Sequence, residues 1–190
     1  MIYLNYPFRE SDVRRLRIGD AVAISGSLCT GRDRLHQHLH EGGKLPLSLR
    51  DGALYHCGPV SVRQGGEWKI VAAGPTTSSR EEPYEADVIA REGIRVLLGK
   101  GGMGSRTLAA CQKYGCVYLQ TTGGAAALLA DCIVRVRNVH FLEAFGPAEA
   151  MWELEVKDLP AIVGMDTHGN TLFGQVRERS TARLQQLLGE

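Results

Sequence analysis

Ile94-Arg95-Val96-Leu97-Leu98-Gly99-Lys100-Gly101-Gly102-Met103-Gly104 is the stretch that decides the fold. Ile94 to Leu98 reads as a short buried strand. It runs into a glycine turn, after which Ser105 opens a helix that ends at Gly115. Val117 to Leu119 is the next strand, and Gly123-Gly124 leads into a small-residue helix over Ala125 to Cys132. On the N-terminal side, Lys69 to Ala73 is an apolar strand, and a helix over Tyr84 to Arg91 stops at Gly93. Strand, glycine loop and helix alternating in this way mark a parallel sheet with crossover helices.

Further out, Ile18 to Ser25 reads as a turn into a strand and Gly31 to His40 as a helix closed by Gly42 and Gly43. Ala53 to Tyr55 is a short strand. The last third differs. Trp152 to Val156 alternates apolar and polar residues, and Ala161 to Met165 and Thr171 to Phe173 flank Asp166-Thr167-His168-Gly169-Asn170 as a hairpin. Asp166 and His168 read as turn residues, and Ser180 to Leu188 as a terminal helix. No repeat or linker interrupts the chain. The expectation is one domain over residues 1–190, a mixed α/β body with an added β layer.

The 190 residues are 44% hydrophobic and 23% charged, values of an ordinary globular chain rather than a disordered one. With 22 basic and 21 acidic side chains the net charge is +1, which gives no reason to expect a nucleic-acid or membrane partner. Cys29, Cys57, Cys111, Cys116 and Cys132 form no CxxC pair, so reduced thiols in a cytoplasmic protein are expected. No apolar run is long enough to span a bilayer, and no signal-peptide core precedes Arg9, Arg14 and Arg15.

Chemistry gathers in Gly74-Pro75-Thr76-Thr77-Ser78-Ser79-Arg80. Ser79 with Glu82 fits a capping box, whose helix start would attract an anion, and Arg80 adds a planar donor suited to a carboxylate. A capped polar turn is the plain alternative. Gly99, Gly101 and Gly104 match G-x-G-x-x-G after a strand, but no acidic residue follows at the dinucleotide spacing: the next strand ends Gln120-Thr121-Thr122. Lys100 on that turn suits a small anion better than a nucleotide. Gly31-Arg32-Asp33 places another guanidinium after a strand, and Thr121-Thr122-Gly123-Gly124 offers either a further anion-accepting turn or close packing. His36, His38 and His40 lack a carboxylate or cysteine at a ligand offset, and His56-Cys57 is a single pair, so no metal is assigned. Arg32, Thr76, Arg80 and Lys100 thus each follow a predicted strand, where α/β sheets collect ligands. Three cations with two hydroxyls describe a dicarboxylate pocket.

Gly31-Arg32-Asp33 with His36, Tyr55-His56-Cys57-Gly58-Pro59-Val60, Gly74-Pro75-Thr76-Thr77-Ser78 with Arg80, Gly99-Lys100-Gly101, Gly123-Gly124-Ala125-Ala126 and Glu149-Ala150-Met151-Trp152 occur in one order. That ordered set resembles iron–sulfur hydro-lyases: the class I fumarate hydratase C-terminal domain and the tartrate dehydratase β subunit. The resemblance runs from about Leu16 to Phe173. It implies a swivelling β/β/α three-layer fold with a mainly parallel central sheet. It also implies a site completed by an α partner that carries a [4Fe-4S] cluster, the present chain contributing no cofactor ligand. By resemblance Thr76 is the base that takes a proton from the carbon next to a carboxylate, while Arg32, Thr77, Arg80 and Lys100 hold the substrate, malate/fumarate or tartrate. The cluster iron would act as Lewis acid on the departing hydroxide. After Arg80 the family often has Met and then an acidic residue, whereas this chain has Glu81-Glu82-Pro83. The alternatives are a non-catalytic carboxylate-binding or regulatory module of the same fold, and a nucleotide-binding domain using the Gly99 loop.

Overall fold

The computed structural model describes residues 1–189. In chain order they form β1 (Ile2–Asn5), α1 (Glu10–Val13), β2 (Ala21–Thr30), α2 (Asp33–His40), β3 (Ala53–Tyr55), β4 (Val60–Gln64) and β5 (Glu67–Ala72). A 3-10 turn at Ser78–Arg80 leads to α3 (Glu82–Glu92), β6 (Val96–Gly99), α4 (Ser105–Tyr114), β7 (Val117–Gln120) and α5 (Ala126–Asp131). There follow β8 (Ile133–His140), α6 (Leu142–Phe145), β9 (Met151–Met165) and α7 (Leu172–Leu188).

The main sheet runs β1-β2-β3-β6-β7-β9-β8, and β2 pairs with β9 as well. From β1 to β7 every neighbouring pair is parallel, as the strand–helix alternation predicts. The 15 residues of β9 run antiparallel and are long enough to reach three partners, pairing with β8 along Met151 to Val156. Ile162, Val163 and Met165 pair with β7, and the stretch from Glu153 to Ile162 pairs with β2. This closes β2-β3-β6-β7-β9 into a five-stranded barrel. The expected α/β class and mainly parallel strands are present. The strand pairing describes a closed sheet rather than two stacked β layers.

Residues alternate across this sheet with the period of two that a strand imposes. Ala53, Tyr55, Val96, Leu98, Val117, Leu119, Trp152, Leu154 and Val156 belong to the inner core. Leu54, Leu97, Tyr118, Met151 and Met165 belong to the outer one, where they meet Leu35 and Leu39 of α2, Val88 and Ile89 of α3 and Cys111 of α4. Helices α3 and α4 end at Gly93 (φ 70°) and Gly115 (φ 69°), left-handed positions that glycine fills without steric cost.

Several expectations change. The segments Trp152 to Val156 and Ala161 to Met165 are one strand, because Leu159 stays in the inner core while Asp158 and Pro160 face solvent. Thr171 makes one bridge to Met165 and then caps α7, its hydroxyl accepting the Gly174 N–H, so no hairpin forms there. Strand β5 pairs antiparallel with β4 outside the parallel sheet. The structure adds strands at Ile2–Asn5 and at β8 that the sequence reading lacks. No helix among the described residues is long and apolar enough to cross a membrane.

Candidate active site

The C-terminal ends of β3 and β6 and the loops beside them bring the sequence-predicted residues to one end of the sheet. Thr76 donates both its backbone N–H (2.7 Å) and its hydroxyl (3.1 Å) to the carbonyl of His56, just past β3. Thr77 bridges in parallel to Lys100, just past β6, and the Ser78 N–H donates to the Lys100 carbonyl at 3.0 Å. Lys100 in turn lies over Gly123, where an added Cβ would sit 3.4 Å from its Cδ. Arg80 makes a two-pronged pair with Asp33, both bonds 3.0 Å, next to Arg32 in sequence. Arg32 lies over Gly58, donates to the Ala148 carbonyl at 3.3 Å, and places Nε 3.3 Å from Glu149 Oε1. Arg32, Thr76, Thr77, Arg80 and Lys100 therefore occupy adjoining loops, Arg32 and Lys100 half-buried and Arg80 exposed.

Beneath these loops lies a buried polar chain that the sequence does not announce. One oxygen of Glu85, Oε2, accepts from His36 Nε2 at 2.9 Å and from His56 Nε2 at 3.0 Å. His36 also donates from Nδ1 to the Arg32 carbonyl at 2.8 Å. With both ring nitrogens donating, His36 is an imidazolium. His56 Nδ1, left bare, accepts the Ser78 hydroxyl at 2.9 Å. Ser78 Oγ accepts from the Tyr118 hydroxyl at 3.0 Å, which accepts the Gly102 N–H at 3.3 Å. The side chains of His36, His56, Ser78 and Glu85 are wholly shielded from solvent.

The electrostatics agree with that proton order. Burial presses His36 toward neutrality, but the charge and hydrogen bond of Glu85, helped by Glu81, outweigh it and hold the ring at about 9. Burial dominates for His56 and lowers it below the usual imidazole range, with His36 and Arg80 adding to the effect against the pull of Glu85. Burial opposes the Glu85 charge, yet the two histidines bring its carboxyl down to about 2. Glu81 is different. It is buried, neither oxygen has a hydrogen-bond donor, and burial pushes it up to about 7 despite His36 3.5 Å away.

One sequence reading, the capping box, is overturned here. Glu82 does not reach back to Ser79 in a capping box. Its carboxylate accepts from the Gly104 N–H (2.6 Å), the Arg106 N–H (3.0 Å), the Thr107 N–H (3.3 Å) and the Thr107 hydroxyl (2.6 Å), at the start of α4. That is where a dinucleotide would put its pyrophosphate, so the glycine fingerprint has another cause. A Cβ on Gly99 would fall 1.9 Å from Ser78 Oγ, and one on Gly104 2.5 Å from Glu82 Oε1. These glycines make room for the polar chain and the capping carboxylate.

His36, His56 and Glu85 offer ligand atoms within 4.8 Å of one another, a trio hidden in the sequence by separations of 20 and 29 residues. In the structure those atoms hydrogen-bond one another. The cysteines do not suit a cluster: Cys29, Cys57, Cys111 and Cys116 are buried, and burial pushes the Cys29 and Cys57 thiols up to about 12. A clue to the missed trio was present. Glu85 shares the buried face of α3 with Val88 and Ile89, and a carboxylate on an apolar helix face needs a partner.

Comparison with known proteins places the chain. The fumarase C-terminus family matches residues 1–176. A Geobacillus stearothermophilus protein named "Putative fumarate hydratase class I" is 48% identical over 187 residues, covering 98% of this chain, which spans 36% of that protein's length. A Methanocaldococcus jannaschii protein named "Putative L(+)-tartrate dehydratase subunit beta" is 40% identical over the whole of both chains. The L(+)-tartrate dehydratase subunit beta of Escherichia coli is 35% identical over 98% of this chain and 94% of its own length. On the extent of these matches and the ordered motifs that line one end of its sheet, this chain belongs to the fumarase C-terminus family.

Proposed function

We propose that this chain is the β subunit of a heteromeric [4Fe-4S] hydro-lyase that reversibly removes water from a hydroxy-dicarboxylic acid of the malate/fumarate or tartrate kind. The observation that carries this reading is the meeting of Arg32, Thr76, Thr77, Arg80 and Lys100 on adjoining loops, tied by the His56 and Lys100 carbonyls. Residues 1–190 act as one domain in this reading, since one sheet serves both cores. The family's swivelling β/β/α arrangement is the proposed description of how the barrel and its outer helices sit in the assembled enzyme. The subunit names of the relatives support an α partner, and the cytoplasm is the proposed location of the pair.

In the reaction, a C–H bond next to a carboxylate breaks, a carbon–carbon double bond forms, and the C–O bond one carbon further breaks to release hydroxide. Thr76 takes the proton. To do so its hydroxyl must first lose the hydrogen it donates to the His56 carbonyl, passed to solvent before substrate closes the site, so that the alkoxide oxygen takes the substrate proton. A threonine hydroxyl is a weak base, so neighbouring cations in a water-poor site must favour its deprotonated form. Arg32, Arg80 and Lys100 hold the two carboxylates and stabilise the enediolate charge as it develops. Asp33 occupies the Nε and Nη2 edge of Arg80, leaving Nη1 for a substrate oxygen. The cluster falls to the partner, because this chain's cysteines do not suit it, and would supply Lewis acidity toward the departing hydroxide.

Anaerobic co-purification with the α partner, followed by assays on malate, fumarate and tartrate, tests the proposal. Turnover should require both chains. Activity in this chain alone would refute the division of labour.

A further inference from the structure

Resting on the functional reading above, we infer that Glu85, acting through His36 and His56, is a positioning residue that fixes the three loops carrying Arg32, Thr76 and Lys100. The polar chain ends on the backbone of each loop. His36 Nδ1–H is bonded to the Arg32 carbonyl. The His56 carbonyl receives both donors of Thr76, while its N–H is fixed to the Leu98 carbonyl at 2.8 Å. Ser78 donates its N–H to the Lys100 carbonyl, and Tyr118 receives the N–H of Gly102, two residues further along the Lys100 loop. Glu85 is the only member that grips both histidines, and it does so through one atom, Oε2.

That single-atom grip makes the negative charge necessary. An amide in place of the carboxylate would present to both Nε2 positions either an oxygen, which cannot balance the His36 charge, or an NH₂, which opposes the N–H of His56. Either way one histidine loses its bond and the loop attached to it loosens. The groups facing Glu85 are His36 from α2, His56 after β3, and Glu81 ahead of its own helix, with Arg80 and Asp33 at the rim. His36 packs edge-to-face on His56 with ring centroids 5.3 Å apart.

The test uses Glu85→Gln, which keeps the volume, in the complex with the α partner and in the full-length chain. In the complex, kcat on the active hydroxy-dicarboxylate should fall at least about tenfold as the base is displaced, and KM should rise as the Arg32 loop loosens. In the chain, assigned imidazole ¹⁵N spectra at neutral pH should show His36 protonated on both nitrogens and His56 as the neutral Nε2–H tautomer. Glu85→Gln should abolish the first signal. Unchanged kcat and KM in a well-folded Glu85→Gln complex would overturn the inference while leaving the hydro-lyase reading intact. An inactive wild-type complex would overturn the hydro-lyase reading and this inference with it. Should Glu85→Gln not fold, Ser78→Ala, which removes only the link between His56 and Tyr118, takes its place with the same directions expected.

Discussion

The two faces of the barrel sheet are built from the same strands but do opposite things. The inner face, from Val22 and Ile24 to Trp152 and Val163, is almost wholly apolar. Trp152 packs edge-to-face on Trp68 with centroids 5.2 Å apart and donates its indole N–H to the Pro147 carbonyl at 2.9 Å. The outer face begins the same way, with Leu54, Leu97 and the aliphatic residues of α2 and α3. At its C-terminal end it turns polar and buries His36, His56, Ser78 and Glu85 without exposing any of them. Apolar packing tolerates rearrangement because it has no preferred direction. A hydrogen-bonded chain has one allowed arrangement, and a broken link is expensive. The inner face therefore holds the barrel closed, and the outer end sets where loop atoms sit.

That contrast can be broken or sharpened by substitution. The largest effect belongs to Thr76→Ala, which should cost about a thousandfold in kcat of the assembled enzyme while leaving the urea midpoint of the chain unchanged. A comparable free energy but the opposite signature is expected for Trp152→Ala on the inner face. It should lower stability by about 4 kcal/mol in urea unfolding, with kcat per folded molecule preserved. If Trp152→Ala instead cut turnover of the folded fraction, the separation of roles would fail.

Glu81→Gln gives a smaller, pH-specific effect. The Glu81 carboxyl is raised from 4.5 to about 7 in the folded chain, so folding favours its protonated form. Above 4.5 the unfolded chain gives up that proton first, and stability falls as pH rises toward 7, by about 3 kcal/mol in all. Glu81→Gln should remove that fall, read as urea midpoints at pH 5 and pH 8. Glu85 acts at lower pH, whereas His36 overlaps the upper part of this window and leaves a residual fall by pH 8 that Glu81→Gln does not remove. Glu85 contributes stability above 4.5 that is lost as pH drops through about 2, and His36 contributes stability below 6.5 that is lost as pH climbs through about 9. A midpoint difference unaltered by Glu81→Gln would mean the carboxyl has found a donor. The smallest effect is Asp33→Asn. The Asp33–Arg80 pair is about half exposed, so stability should change by less than about 1 kcal/mol, while KM rises as Arg80 loses its orienting partner.

Local signals explain what could be read directly from the chain. Strand β6, its glycine turn and α4 were legible because a short continuous apolar run, Gly104 and Gly115 act over a few residues. Arg32 and Lys100 were legible as residues following parallel strands, which places them at one end of the sheet, whereas Thr76 and Arg80 follow β5 outside that sheet and are brought there by the bonds of their loop to the His56 and Lys100 carbonyls. Glu82 was misassigned because Ser79 satisfies a local rule that α4, more than twenty residues away, overrides with four donors. Strand β8 was missed because its outward positions, Arg135 and Arg137, pair with Glu155 on the neighbouring strand instead of marking a loop.

The sequence by itself determined the parallel unit, its helix ends and which loops carry charge, since each depends on neighbours within a turn or a strand. Only the tertiary structure decided that β9 closes the barrel and that Glu85 joins His36 to His56. Those pairings link positions 49 and 29 residues apart, and no local pattern encodes which distant donor a buried carboxylate will meet. Desolvation makes the meeting obligatory, because a carboxylate with no exposed surface has no water to turn to.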